Sequence, residues 1–366
     1  MISRIEKLAA ALRQGSMDAL ALVPGANLLY LAGLDLHMNE RFTVAFFPAE
    51  GQPAMVLPAL EQPRAQAQAR FPLRFYPWND GAGPAAALRQ AIADLGLDGT
   101  RLGVEYTAMR VLELRAIEQA APELVAGDAT DLLATLRMTK DAHELAAMRR
   151  AAVIAEQALR QAVAHIRVGI TERELATIWD AAMRAAGSAP SFGTIVASGP
   201  NAANPHHSNT DRAFAAGDLI IMDGGALYEG YASDITRTIA LGQPSAEARR
   251  IYDLVQAANA AGRAAARPGA SGDLIDQAAR AVITAGGYGP QFMHRTGHGL
   301  GLEVHEPPYM VTGSHAPLAP GTTFTIEPGI YVAGVGGVRI EDDVVITADG
   351  CESLTSFERD LIIVEA

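Results

Sequence analysis

Cysteine is almost missing from this chain. A single cysteine, Cys351, in 366 residues excludes an intrachain disulfide and leaves no cysteine-based zinc site. Stability must then come from a packed core, which a chain of this length can build. The same scarcity points to a reducing compartment, and the cytoplasm is the expected location. Long hydrophobic runs are missing too. No stretch reaches the roughly 18 apolar residues of a membrane span, so no membrane partner is expected. The opening "MISRIEKLAAALRQGSMDALALV" reads as an amphipathic helix with scattered charges. It has neither an uninterrupted apolar core nor a cleavage-site pattern, so no signal peptide is expected. Positive charge is in short supply: 29 Lys and Arg face 41 Asp and Glu, for a formal net charge of −12. That balance offers no footprint for nucleic acid. It favours solubility and says little else. Repeats of fixed period and low-complexity segments are also missing.

What is present divides into two parts, as the length suggests. Residues 1–137 read as an α/β domain. "LALV" and "NLLYLAGL" look like short strands, and "RFTVAFFPAEGQPAMVLP" like two strands around a Glu-Gly turn. "PAAALRQAIADLG" is a helix opened by Pro and closed by Gly. "LGVEY" adds a strand and "AMRVLELRAIEQAAP" a helix. A second domain, 138–366, opens at "LRMTKDAHELAAMRRAA", where Asp141 and Glu144 make a capping-box start for a long helix. Thr171 and Glu174 repeat that signal for "ERELATIWDAAMRAAG". Strand-like runs follow, then helices at about 246–266 and 272–286, then strands to the end. Helices first and clustered hairpins later predict α+β.

Within the apolar run "FTIEPGIYVAGVGGVRIEDDVVIT", Glu327 and Glu341 stand where a lone carboxylate is costly to bury. Gly334 lies midway between them, so a hairpin turning there sets them face to face. In "LIIMDGGALYEGYASDITRTI", a turn beside Glu229-Gly230 does the same for Asp223 and Asp234. A lone apolar-flanked glutamate is more often an edge or bulge residue, but two mirrored pairs weaken that reading. Facing like charges destabilise a sheet and, when buried, share protons or find a cation. Four such groups predict divalent metal, with room for two ions. Imidazole donors are at hand. Five of the nine histidines fall in "NPHHSNTDR" (His206, His207) and "HRTGHGLGLEVHEPP" (His294, His298, His305). His298 lies between two glycines, which let backbone and ion approach closely. Mixed carboxylate and imidazole donors suit manganese first, then cobalt or zinc. Arg339 and Thr236 each sit two residues from an acid, on the same strand face, and are candidates to orient it.

The ordered set "NPHHSNTDR", "MDGGALYEGYASDITRT", "HRTGHGLGLEVHEPP", "IEPGIY" and "GGVRIEDDV" resembles the pita-bread metallohydrolases. That superfamily groups methionine aminopeptidases, Xaa-Pro aminopeptidases, prolidases and creatinases. The first domain and the "LRMTKDAHEL" junction resemble its two-domain members, with a creatinase-like N-terminal domain. The resemblance implies Asp223, Asp234, His298, Glu327 and Glu341 as ligands of two divalent ions, with Asp234 and Glu341 bridging. It implies a hydroxide nucleophile shared by the ions, Glu327 as proton acceptor, His305 at the oxyanion and His206 at the scissile amide. The creatinase branch has lost the ligands that this chain keeps.

The substrate implied is a short proline-containing peptide cut at the Xaa-Pro bond, as in prolidase. Alternatives are an Xaa-Pro aminopeptidase on longer peptides, an amidohydrolase of a compatible solute and, more distantly, a non-catalytic peptide binder. Some prolidases carry an arginine after the "HE" motif to hold the dipeptide carboxylate, where this chain has Tyr309. His207, Arg295 or Arg339 must then read that terminus, or longer peptides are accepted. The resemblance also implies a homodimer, with the "LDLHMNERF" loop bearing Asp35 and His37 as a candidate to close the partner's site.

Overall fold

The computed structural model describes residues 4–366. The chain forms two compact units that divide between Arg137 and Met138.

The first unit is built on one six-stranded sheet. Its order is Arg74–Trp78, Ala54–Pro58, Val44–Pro48, Ala19–Leu22, Arg101–Val104 and Val125–Asp128. The central strands Ala19–Leu22 and Ala54–Pro58 are buried along their whole length, and Val44–Pro48 along all but its last residue. A strand covered on both faces reads as a continuous apolar run, and these do. Phe46, Val56, Leu102, Leu88 and Ile117 share its core. One expected strand is a helix instead: "NLLYLAGL" forms Ala26–Ala32. A short apolar run fits either state by periodicity. Here Gly33, at φ 76, takes the left-handed cap and its N–H closes onto Leu29 O, which ends the helix.

The second unit carries helices Ala142–Val163, Glu172–Ala185, Ala246–Ala265 and Gly272–Ala285. Both predicted capping boxes form: Asp141 accepts from the His143 and Glu144 amides, and Thr171 from that of Glu174. A four-stranded sheet runs Ile363–Val364, Ile235–Leu241, Leu219–Gly224, Ile195–Ser198. A five-stranded sheet runs Glu306–Met310, Gly297–Gly299, Thr323–Ile326, Asp342–Ile346, Cys351–Ser353. Trp179, fully buried, packs with Leu159, Ile220, Met222 and Ile235 between the first helix pair and the four-stranded sheet.

Two ribbons aim the acids. Gly329–Val332 pairs with Gly336–Arg339, and Thr323–Ile326 with Asp342–Ile346, in one continuous register that leaves Glu327 and Glu341 opposite each other. The ladder opens at that point. Glu327 N–H donates to Thr296 O (2.8 Å) and Glu341 N–H to Thr236 O (3.1 Å), so each acid is tied to a neighbouring strand. In the other ribbon the expected opposition fails. Asp223 faces Thr236, and Asp234 is offset by two residues along its strand. The turn decides this. Glu229 and Gly230 both have positive φ (51° and 83°) and form a two-residue loop between the paired Tyr228 and Tyr231. That centres the hairpin one residue later than the midpoint of the two aspartates. They are diagonal neighbours on one face, still close enough to share a cavity.

Candidate metal centre

One cavity of about 220 Å³ in the second unit is lined by Asp223, Asp234, His298, Glu327 and Glu341. Asp223 lies near the end of its strand, His298 lies within Gly297–Gly299, and Asp234, Glu327 and Glu341 lie just outside strand ends. Ligand atoms of Asp234, His298 and Glu341 lie within 4.8 Å of one another. His298 Nε2 is 3.3 Å from Glu327 Oε1 and 3.8 Å from Asp234 Oδ2. The glycines beside His298 are a steric requirement. A Cβ on Gly297 would sit 1.8 Å from Thr325 O, and one on Gly299 2.3 Å from Pro307 O.

Two of the acids, Asp223 and Glu341, share a pattern: one oxygen is oriented by the protein and the other is left over. Asp223 Oδ2 accepts from Arg339 (2.7 Å), and Glu341 Oε2 from Thr236 Oγ1 (2.6 Å). Asp223 Oδ1, Asp234 Oδ1 and Glu341 Oε1 are buried with no hydrogen-bond partner. Such orphans are costly unless something outside the chain meets them. Burial first, and then the neighbouring carboxylates, push Asp234 and Glu341 well above the usual range. Burial raises Glu327 to about 7 despite the nearby Arg339. Burial, with His305 adding to it, lowers His298 to about 3, so its imidazole is neutral. Its Nδ1 lies 3.1 Å from Gly299 O, which selects the tautomer with a free Nε2 lone pair facing the acids. Crowded acids, a neutral imidazole and orphaned oxygens are the chemistry of a divalent cation site, and the residues fit one.

Around this core the other expected residues separate. His206, His294, Arg295, His305 and Arg339 line the same cavity. The His305 ring stands 4.2 Å from that of His298, and burial lowers its pKa, with Arg295 adding to the shift. Arg339 reaches Asp223, Thr236 Oγ1 (3.1 Å), Tyr331 Oη (2.9 Å) and Pro205 O (3.4 Å) with four of its five hydrogens, so its main work is to orient a carboxylate. His207, expected either to meet the substrate or to support the site from behind, has its Nε2 2.7 Å from Glu172 Oε2 and is not part of the cavity lining. Tyr309 does not line the cavity either. Its ring carries the Arg295 guanidinium at 4.5 Å. His37 belongs to the first unit, where it lines a hollow of about 110 Å³ with Leu36, Asn39 and Arg64.

Sequence reasoning missed two supports. Tyr331 accepts from Arg339 and meets His294 Nε2 at 2.8 Å, and burial raises its phenol to about 12. Its place in "IEPGIY", on the strand face that Arg339 shares, was the available signal. Asp276 accepts from Arg280 and Thr296, while Arg280 donates to the Phe292 and His294 carbonyls, fixing the approach to His298. An i,i+4 Asp–Arg pair on a helix gives no such hint.

An α/β unit followed by an α+β unit, whose buried acids and one imidazole meet in a single cavity, defines a pita-bread metallohydrolase. The chain belongs to metallopeptidase family M24, whose model matches residues 146–348, and residues 4–139 match the creatinase/prolidase N-terminal domain. It is 37% identical over 364 residues to a probable dipeptidase PepE of Mycobacterium tuberculosis, covering 99% of this chain and 96% of that one. It is 33% identical over 365 residues to the Xaa-Pro dipeptidase of Pyrococcus furiosus, covering 99% and 100%. A solved dipeptidase structure from Pyrococcus horikoshii OT3 superposes with a TM-score of 0.93 at 41% identity, covering 99% of this chain and 100% of that one.

Proposed function

We propose that the protein is a metal-dependent exopeptidase that cleaves Xaa-Pro dipeptides. The observation that carries this reading is the set of orphaned oxygens on Asp223, Asp234 and Glu341 beside the neutral His298. Those residues and Glu327 would hold two divalent ions, manganese first by donor type, then cobalt or zinc. Cations held there lower the pKa of water and polarise a carbonyl, which supplies the nucleophile and the electrophile. The chain's own groups do the rest. Glu327 accepts the nucleophile's proton and returns it to the leaving nitrogen. His305 stands beside the ligand cluster to hold the developing oxyanion, and His206, in the same lining, meets the scissile amide. Phe192, Ile195 and Val304 give the cavity an apolar side suited to a proline ring.

Dipeptides are favoured over longer peptides by one further feature. Arg339 is committed to Asp223 and His207 to Glu172. Arg295 lines the cavity with no carboxylate partner among the described residues, stacked on Tyr309. A stacked, unpaired guanidinium is suited to a free C-terminal carboxylate. The single cysteine agrees with a cytoplasmic enzyme, and a homodimer is what the family resemblance implies.

The test is cleavage of Xaa-Pro dipeptides beside Xaa-Pro-Xaa tripeptides, with manganese, cobalt and zinc in turn. Dipeptides should be cut faster. Arg295→Met should raise the dipeptide KM about 10–100-fold, the weight of a charged hydrogen bond, and leave the tripeptide KM nearly unchanged. Equal cleavage of both would favour the aminopeptidase. No cleavage of either would favour a non-peptide substrate.

A further inference from the structure

The cavity explains what His206 faces, but not what holds it there. His206 is exposed. Its N–H donates to Asn204 Oδ1 (3.1 Å), and its ring has no hydrogen-bond partner among the described residues. An imidazole on such a segment positions a substrate only if the segment is fixed from elsewhere.

A carboxylate outside the cavity does the fixing. Glu172, the first residue of helix Glu172–Ala185, is fully buried. Its Oε1 accepts from Ser198 N (2.9 Å), Ser198 Oγ (2.8 Å) and Asn201 Nδ2 (3.0 Å). Its Oε2 accepts from His207 Nε2 (2.7 Å), Thr210 N (2.9 Å) and Thr210 Oγ1 (2.6 Å). The donors lie on both sides of His206 in sequence, and one is its immediate neighbour. Arg212 closes the cluster, donating to Ser198 Oγ (2.7 Å) and to both Asp218 oxygens (2.7 and 2.9 Å). Burial works against the Glu172 charge, but the hydrogen bonds outweigh it and hold the group at about 2. The carboxylate is therefore acceptor-only at neutral pH, and His207 Nε2 carries the proton between them.

A hub of this kind could serve folding alone. Its placement argues for more. Pro205 O, next to His206, accepts from Arg339 (3.4 Å), the same guanidinium that orients Asp223. The segment is thus pinned between Glu172 on one side and the ligand-orienting arginine on the other.

We propose that Glu172 is a positioning residue for hydrolysis: through Ser198, Asn201, His207 and Thr210 it holds His206 at the substrate. The inference rests on the reading of His206 as a substrate contact, and the test separates the two. Glu172→Gln, His206→Ala and the double variant are compared in the metal-loaded full chain by kcat and KM on an Xaa-Pro dipeptide. Circular dichroism and bound-metal analysis accompany each. Glu172→Gln keeps the shape but turns one acceptor into a donor facing donors. It should lower kcat about 10–100-fold with metal content unchanged. In the His206→Ala background the same change should cost less than about 2-fold, because its target is already gone. Thr210→Val, which removes one donor at constant shape, should show the same non-additivity at smaller size and serves if Glu172→Gln does not fold.

Equal fold-losses in both backgrounds, loss of metal with activity, or no loss of kcat in Glu172→Gln would overturn the inference. A kcat unaffected by His206→Ala would instead sink the reading beneath it.

Discussion

At the scale of single residues, the centre works by giving every charged group one job. Asp223 and Glu341 each use one oxygen for orientation and leave the other buried without a partner. His305 has no part in that ligand cluster but stands against His298. His305→Ala should therefore cut kcat about 10²–10³-fold, as loss of an oxyanion donor does, with bound metal unchanged. A parallel loss of metal would reassign His305 to the ligand set. Glu172 makes a separate, pH-linked prediction. Its carboxyl sits at about 2 when folded, against 4.5 for the free group. A depressed acid contributes stability that is present above its unfolded pKa and is lost as pH falls through the folded one. The gap in unfolding free energy between wild type and Glu172→Gln, up to about 3 kcal/mol, should thus be constant above pH ~5 and shrink between pH ~4.5 and ~2. Urea melts across that range check the sign. A gap that widened in acid would mean that the folded carboxyl is raised.

At the scale of elements, turn chemistry sets which acids meet. The loop Glu229-Gly230 needs positive φ at both residues, and glutamate is a poor choice for the first. Its contact with His143 (3.6 Å) joins two exposed side chains and contributes little. Glu229→Asn should keep the register of Asp223 opposite Thr236 and stabilise the protein by about 1 kcal/mol. A raised urea midpoint with unchanged kcat is the expected result, and an altered kcat would show that the register had slipped. Gly297 predicts the reverse. A methyl there meets Thr325 O at 1.8 Å, so Gly297→Ala must displace His298 and should abolish metal binding even where the chain still folds. Bound-metal analysis of the soluble variant decides it.

At the scale of the whole molecule, the buried acids make the fold and the cation interdependent. Crowded carboxylates that burial and mutual repulsion push upward leave the metal-free second unit under electrostatic load. Chelation should lower the thermal midpoint by about 5 °C or more, and manganese should restore it. Metal analysis should return two ions per chain. An unchanged midpoint after verified metal loss would mean that the acids stay protonated and need no cation. No helix among the described residues is long and apolar enough to cross a membrane.

What the sequence determined alone was local or symmetric. The donor types, the two capping boxes and the opposition of Glu327 to Glu341 follow from spacing within one stretch, because a hairpin or a helix turn relates residues that are near in the chain. The tertiary structure decided the rest. The offset of Asp223 from Asp234 depended on which two residues took positive φ, a choice that tertiary context makes. Arg339 binds Asp223 across 116 positions, and Glu172 gathers Ser198, Asn201, His207 and Thr210 from the far side of a helix and a strand. No local pattern marks such partners, since burial creates the need for each hydrogen bond and only packing says which donor arrives to meet it.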